Sequence, residues 1–229
     1  MTKAVILSPH FDDAIISCWH TIAYQNTLIL TVFGGIPKKG THGLWDMLCG
    51  ERKSDLMVKK RIKENNEVLS NYKTSIKNLD YLDNQYRKTE IKIDKLVNDI
   101  LNNTPNQSVY YAPLSNGKFW RHPDHSLVKQ AALKLLILGK KVYFYPDIPY
   151  ARLPDRNKLN VPRIEKYNSK KLSINFKTKI IPLTTEDIYR KVKDVKSYKS
   201  QYTMTNLVSL NNLARSLSLD YELIFKAKF

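Results

Sequence analysis

Near the start of the chain stands Val5-Ile6-Leu7-Ser8-Pro9-His10-Phe11-Asp12-Asp13. Three consecutive apolar residues read as a strand buried on both faces, as in parallel sheets. Ser8 and Pro9 end it. One imidazole and two carboxylates then emerge at the strand's carboxyl end, the place where open α/β sheets bind ligands.

Outward from this stretch the chain alternates strand-like and helix-like segments, the pattern of an α/β fold whose mainly parallel sheet is covered on both faces. Asp12 to Tyr24 predicts a helix carrying Ile15, Ile16, Trp19, Ile22 and Ala23 on one side, with Asp12 and Asp13 at its positive end. Thr27 to Phe33 predicts a second strand, closed by Gly34-Gly35. Residues 36–50 hold Pro37, three glycines, His42, Trp45 and Asp46, and read as a mobile surface loop beside a site, a lid. A helix from about Glu51 to Leu69, a strand from Ile76 to Tyr81, a helix from Ile91 to Leu101 and a strand from Ser108 to Ala112 follow. Trp120-Arg121-His122-Pro123-Asp124-His125 opens the next helix, which Gly139 ends. A strand from Val142 to Tyr145 leads into Pro146-Asp147-Ile148-Pro149-Tyr150. From Ala151 to Asn175 the pattern dissolves into Pro, Asn, Lys and Arg, predicting an irregular excursion. Thr178 to Pro182 is extended, Glu186 to Tyr198 helical, and Tyr221 to Phe229 a closing strand. No repeat or second core interrupts residues 1–229, which suits a single domain.

A hydrophobic content of 42% and a charged content of 26% are ordinary, whereas the net charge of +17 is not. Lysine far outnumbers arginine, so the surplus reads equally well as compositional bias or as a surface that attracts anions. Cys18 and Cys49 have neither the spacing of a zinc pair nor the number of a disulfide framework, and Cys18 reads as a small buried hydrophobe. No apolar run approaches a membrane span, and no signal-like segment precedes the first strand. The expectation is a cytoplasmic protein.

A hydrolytic zinc site needs three protein ligands, one position left for water, and a base for that water's proton. His10, Asp13 and His125 offer two nitrogens and a carboxylate oxygen, with Asp12 left beside them as general base. His122, three residues before His125, would act as an imidazolium on a developing oxyanion or leaving amine, and Asp124 would hold its ring. Each group alone has a plainer reading: a strand-end histidine, or an Asp-Asp pair capping a helix. Their coincidence carries the signal, because two His/Asp clusters each follow a strand and open a helix. Trp45 and Asp46, with His42, are candidates for a substrate rim. Asp147, Tyr150 and Arg152 are candidates for the pocket wall, and His20, inside a helix, reads as structural.

Ser8-Pro9-His10-Phe11-Asp12-Asp13-Ala14 together with His122-Pro123-Asp124-His125 resembles the paired signatures of the PIG-L (LmbE-like) family of zinc-dependent de-N-acetylases, which act on N-acetylglucosamine-containing and related aminoglycosyl compounds. Arg61 and Glu64 are similar to that family's Arg-x-x-Glu, and Ser200-Gln201 adds a late match. The resemblance implies a Rossmann-like three-layer α/β/α sandwich. It implies zinc, with other divalent metals open, on His10, Asp13 and His125, Asp12 as base, and His122 as catalytic imidazolium supported by Asp124. Phe11 stands where the family has proline, and Ala14 where it has glutamate.

The reading that follows is a metal-dependent hydrolase of an acetamide on an amino sugar or glycoconjugate, with a homo-oligomer left open. Two alternatives remain: a basic protein that binds nucleic acid or an anionic surface around a structural metal, and a metal hydrolase of another amide or ester. The first has no helix-turn-helix, zinc-finger or RNA-binding signature behind it. GxSxG, P-loop and GxGxxG signatures are also missing, which sets aside serine hydrolases, P-loop nucleotide hydrolases and dinucleotide oxidoreductases.

Overall fold

A computed structural model describes residues 3–115, 122–146, 148, 163–167, 170–201 and 221–228. In chain order its elements are β1 (Lys3–Ser8), α1 (Asp13–Tyr24), β2 (Thr27–Thr31), α2 (Leu44–Leu48), α3 (Ser54–Leu69), β3 (Thr74–Asn78), α4 (Ile93–Asn102) and β4 (Ser108–Pro113). They continue with α5 (Pro123–Ile137), β5 (Lys141–Tyr145), β6 (Arg163–Tyr167), β7 (Lys170–Pro182), α6 (Thr185–Lys196), a 3-10 turn (Lys199–Gln201) and β8 (Tyr221–Lys228).

Strand β1 shows why the apolar run works. Val5 and Leu7 pack into one core with Leu96, Val97 and Ile100 of α4 and Val128 and Ala132 of α5. Ala4 and Ile6 point the other way, into a second core with Ile15 and Trp19 of α1, Val58 of α3 and Val195 of α6. Successive side chains alternate across a strand, so a run without polar gaps requires a helical layer on both faces. The result is the three-layer α/β/α sandwich expected from the sequence.

The eight strands run in the order β3-β2-β1-β4-β5-β8-β7-β6. The first five are parallel, and β8, β7 and β6 extend the sheet antiparallel. Chain order turns back between β1 and β4, which pair from Lys3↔Ser108 to Ile6↔Tyr111. A crevice at the carboxyl ends of two such strands is the place where doubly wound sheets hold ligands.

Three expectations change. Instead of an irregular excursion over 151–175, β6 and the start of β7 form an antiparallel hairpin in register Arg163↔Ile174, while 151–162 lie outside the described residues. Ile174 and Phe176 are buried while Ser173, Asn175 and Lys177 are exposed, so a period of two operates inside the polar composition. The third strand begins earlier than expected, at Thr74, because it is set by the β2 register Thr27↔Thr74. Residues 36–50, read as a mobile loop, contain α2 and are fastened. Ser54 N donates to Thr41 O at 3.1 Å, Gly43 N donates to Ser54 Oγ at 2.8 Å, and Arg61 pairs with Asp46 at 2.8 Å.

One buried charge pair ties β8 to α6. Lys191 Nζ meets Glu222 Oε1 at 2.5 Å with both side chains almost inaccessible, and the Glu222 carboxylate also accepts from His20 N at 3.1 Å. Removing one partner leaves the other charge buried and alone. Lys191→Met should therefore lower unfolding free energy in urea by about 3–5 kcal/mol, whereas Lys191→Met combined with Glu222→Leu should recover most of the loss. Equal losses in the single and double variants would contradict the pairing.

Candidate active site

The turn after β1 is closed by its own side chains. Ser8 Oγ accepts from Ala14 N at 3.0 Å and donates to His10 O, and Asp13 Oδ2 accepts from His10 N at 2.7 Å. These bonds hold His10 and Asp13 on the same side of the chain. From the far side of the β1/β4 crevice, His125 reaches the same point from the first turn of α5.

Three atoms meet there. His10 Nδ1 lies 3.3 Å from Asp13 Oδ2 and 3.3 Å from His125 Nε2, and His125 Nε2 lies 3.3 Å from Asp13 Oδ2. Bonds of about 2.0–2.1 Å at the tetrahedral angle set ligand atoms about 3.3–3.4 Å apart. The triangle thus has the edge of three tetrahedral ligands, and two imidazoles with one carboxylate are donors that suit a divalent metal. His10, His122 and His125, and separately His10, Asp83 and Asp124, also bring one ligand atom each within 4.8 Å. The second grouping would use His10 Nε2, which already faces Asp124.

The charge around His10 favours a cation. Burial opposes a proton on its ring, but hydrogen bonds to Asp124 and Asp13 and the Asp83 charge outweigh this and raise its pKa well above the ordinary value. Burial would push Asp13 up, yet His125 and His10 together hold it well below the usual carboxylate range. Asp12, next in the chain, is pushed up to about 6 by burial and by the Asp13 charge. It occupies the N-cap position of α1, but its side chain makes no capping hydrogen bond there.

Asp124 does not hold His122. Its Oδ2 lies 3.2 Å from His10 Nε2 and accepts from Asn84 N at 2.9 Å, and its Oδ1 lies 2.7 Å from Arg87 Nη2. Only its backbone N–H reaches His122, donating to Nδ1 at 3.3 Å. The reason is helical geometry: an N-cap side chain turns back toward the N–H groups of N2 and N3, whereas the N2 side chain points elsewhere. Because Nδ1 of His122 accepts, its proton belongs on Nε2. Burial and the His10 and His125 charges bring the His122 pKa down to about 4, which favours the neutral ring over the expected imidazolium.

Asp83, Asn84 and Arg87 were not legible as site residues. They lie between β3 and α4, roughly seventy residues after the first motif and roughly forty before the second, with no spacing to flag them. Gly35 admits this segment, since a Cβ there would stand 2.5 Å from Asp80 O. Asp83 Oδ2 lies 3.7 Å from His10 Nε2.

Around the rim, Asp46 proves to be fully buried. It pairs with Arg61 and accepts from Tyr86 Oη, so it anchors α2 rather than facing a substrate, while Trp45 beside it is 40% exposed. Glu64 accepts from Ser200 N and Oγ, and Arg61 Nη2 approaches Ser200 O at 3.4 Å. The Arg-x-x-Glu pair and Ser200 thus come together to dock α3 on the 3-10 turn. His42 is exposed, with Nδ1 2.7 Å from Arg52 O. His20 lies on α1 away from these groups, and burial raises the Cys18 thiol pKa well above its ordinary value. Asp147, Tyr150 and Arg152 fall outside the described residues.

The chain and its fold are similar to those of known proteins. A 2'-N-acetylparomamine deacetylase of Niallia circulans is 27% identical over 184 residues, 64% of this chain and 66% of that relative, so the match spans just under two thirds of its length. Among solved structures, a deacetylase of the teicoplanin biosynthetic pathway superposes with a TM-score of 0.76 at 20% identity, covering 99% of this chain and 98% of that one. A further structure of teicoplanin deacetylase, TM-score 0.74 at 20% identity with the same coverage, is described as a zinc-inhibited form. The N,N'-diacetylchitobiose deacetylase of Pyrococcus horikoshii gives 0.65 at 16% identity, over 99% of this chain and 84% of that one. The sequence profile described as PIG-L, GlcNAc-PI de-N-acetylase, matches residues 5–136, more than half of the chain. The chain belongs to the PIG-L family.

Proposed function

We propose that the protein is a metal-dependent de-N-acetylase that hydrolyses the acetamide of an N-acetylated amino sugar or glycoconjugate. The observation that carries this reading is the 3.3 Å triangle of His10 Nδ1, Asp13 Oδ2 and His125 Nε2, with the Asp12 carboxylate adjacent and outside it. We take zinc as the metal, on the donor set of two imidazoles and one carboxylate. When bound, such a metal supplies Lewis acidity towards water and towards an amide carbonyl. Family membership and the sugar substrates named for the relatives support the acetamide over other amides and esters.

The residues divide the remaining work. Asp12 takes a proton from the attacking water and passes it to the nitrogen as the C–N bond breaks, releasing acetate and a free amine. His122 donates its Nε2–H to the acetyl oxygen as negative charge builds there, as a neutral imidazole whose other nitrogen is held by the Asp124 N–H. Asp124, through His10 Nε2, keeps Nδ1 turned to Asp13 and His125. Asp147, Tyr150 and Arg152 are retained as candidates for the pocket wall. No helix among the described residues is long and apolar enough to cross a membrane, and we place the enzyme in the cytoplasm. Nucleic-acid binding around a structural metal is not favoured, because a structural zinc is closed by four protein ligands and needs no free carboxylate such as Asp12 beside it.

Asp12→Asn should lower kcat by about 10²–10⁴-fold while metal content, read by elemental analysis, stays at the wild-type ratio. Full activity in that variant would remove Asp12 from the role of base. His125→Ala should abolish stoichiometric metal binding. Asp124→Asn should weaken metal affinity by about 10–100-fold with an unchanged circular dichroism spectrum, and unchanged affinity would contradict its hold on His10. Chelation should stop acetate release from a panel of N-acetylglucosaminides and N-acetylated aminoglycosides, and added zinc should restore it. A metal-loaded protein that releases acetate from none of them would redirect the proposal to another amide or ester.

A further inference from the structure

Helix α2 is amphipathic in reverse. Its single polar residue, Asp46, is fully buried against Arg61 and Tyr86, while Leu44, Trp45, Met47 and Leu48 are 70%, 40%, 44% and 54% exposed. Scattered surface hydrophobes are ordinary, but four of five consecutive residues turned outward form a contiguous apolar patch. The buried Asp46–Arg61 pair keeps the turn from rolling over to hide them.

Cations bracket this patch. Lys38 and Lys39 precede it and Arg52 and Lys53 follow it, all exposed. The two flanks are stitched together by the Ser54 N to Thr41 O bond and by His42 Nδ1 at 2.7 Å from Arg52 O, so the cations stand on either side of one short turn. Of the two acidic residues in 36–53, Asp46 is spent on Arg61, and Glu51 is half-buried and accepts from Lys53 N at 2.9 Å. The outward face is therefore apolar at its centre and positive at its edges.

We propose that this face docks the enzyme on an anionic phospholipid bilayer, with Leu44, Trp45, Met47 and Leu48 entering the headgroup boundary and Lys38, Lys39, Arg52 and Lys53 meeting lipid phosphates. Charge complementarity selects this occupant. A bilayer interface takes apolar and tryptophan side chains below a negative layer that attracts lysine and arginine. A two-fold contact with a second copy would instead bring the same cations toward their own counterparts. Lysine is also depleted at protein interfaces. The residues that fasten α2 also touch the active site's own supports: Gln85 and Tyr86, which contact Asp46, directly follow Asp83 and Asn84, which contact His10 and Asp124. Docking here would set the site's rim at the membrane surface.

The test is co-sedimentation of the full chain with vesicles of phosphatidylcholine alone and of phosphatidylcholine with 30% phosphatidylglycerol, about one lipid in three being anionic as in acidic membranes. Binding should need the anionic lipid and fall with salt, and emission of Trp45 should shift to the blue and be quenched by brominated lipid, a signal lost in Trp45→Phe. Leu44→Ser with Leu48→Ser should weaken partitioning at least about tenfold. Lys38→Ser with Lys39→Ser should weaken it about 30-fold. Thermal melts confirm folding of each variant; if a serine variant fails to fold, the difference in lipid quenching between the unmodified chain and Trp45→Phe decides. Absence of vesicle binding, equal binding to neutral vesicles, wild-type binding by the Leu44/Leu48 variant, or a concentration-dependent dimer that this variant abolishes would each overturn the proposal.

Discussion

The contact between His10 Nε2 and the buried Asp124 carboxylate, 3.2 Å across the crevice between β1 and β4, is the constraint on which the site depends. A histidine ring has two nitrogens, and committing one of them to a carboxylate settles what the other can do. With Nε2 committed, Nδ1 is left for Asp13 and His125. Burial alone would push the Asp124 carboxyl up, but the His10 hydrogen bond and charge, the Asn84 N–H and Arg87 more than offset it and keep the group ionised. Arg87 in turn lies over the Phe33 ring, 5.1 Å from its centroid, so the support reaches back to the chain just after β2.

This arrangement follows from the topology. Parallel strands place all their carboxyl ends at one edge, and the reversal of strand order between β1 and β4 opens a gap there. His10 and Asp13 come from the turn after β1, and His122 and His125 from the start of the helix after β4. Neither cluster is a site alone. The sheet supplies the hundred-residue separation in sequence and the few ångströms in space, and α5 begins with Pro123 at its first turn, which fixes His122 as the cap and His125 one turn inward.

The sequence revealed these two clusters because each interrupts a strong local pattern: an apolar run that stops at Ser8-Pro9, and a helix that opens on a histidine. Apart from α2, strand and helix types along 3–115 were legible for the same reason. What escaped was set by tertiary contact. Proximity in sequence pairs Asp124 with His122, yet helix geometry turns its carboxylate to His10. Asp83, Asn84 and Arg87 sit in a segment with no periodicity, held in place by the close approach that Gly35 permits. Asp46 looked like a surface carboxylate in a polar loop, and only the fold shows that it is the buried partner of Arg61. The β6–β7 hairpin was hidden because abundant Lys and Asn mask the alternation of Leu172, Ile174 and Phe176.

In the proposed site His10 presents Nδ1 and His125 presents Nε2 to one metal. Long-range ¹H–¹⁵N correlation spectra of the histidine rings, recorded with and without one equivalent of zinc, test it most directly. Zinc should shift His10 Nδ1 and His125 Nε2 into the metal-bound range while the His10 Nε2 proton stays directed at Asp124. Coordination of His10 through Nε2, or a His10 ring that does not respond to the metal, would contradict it.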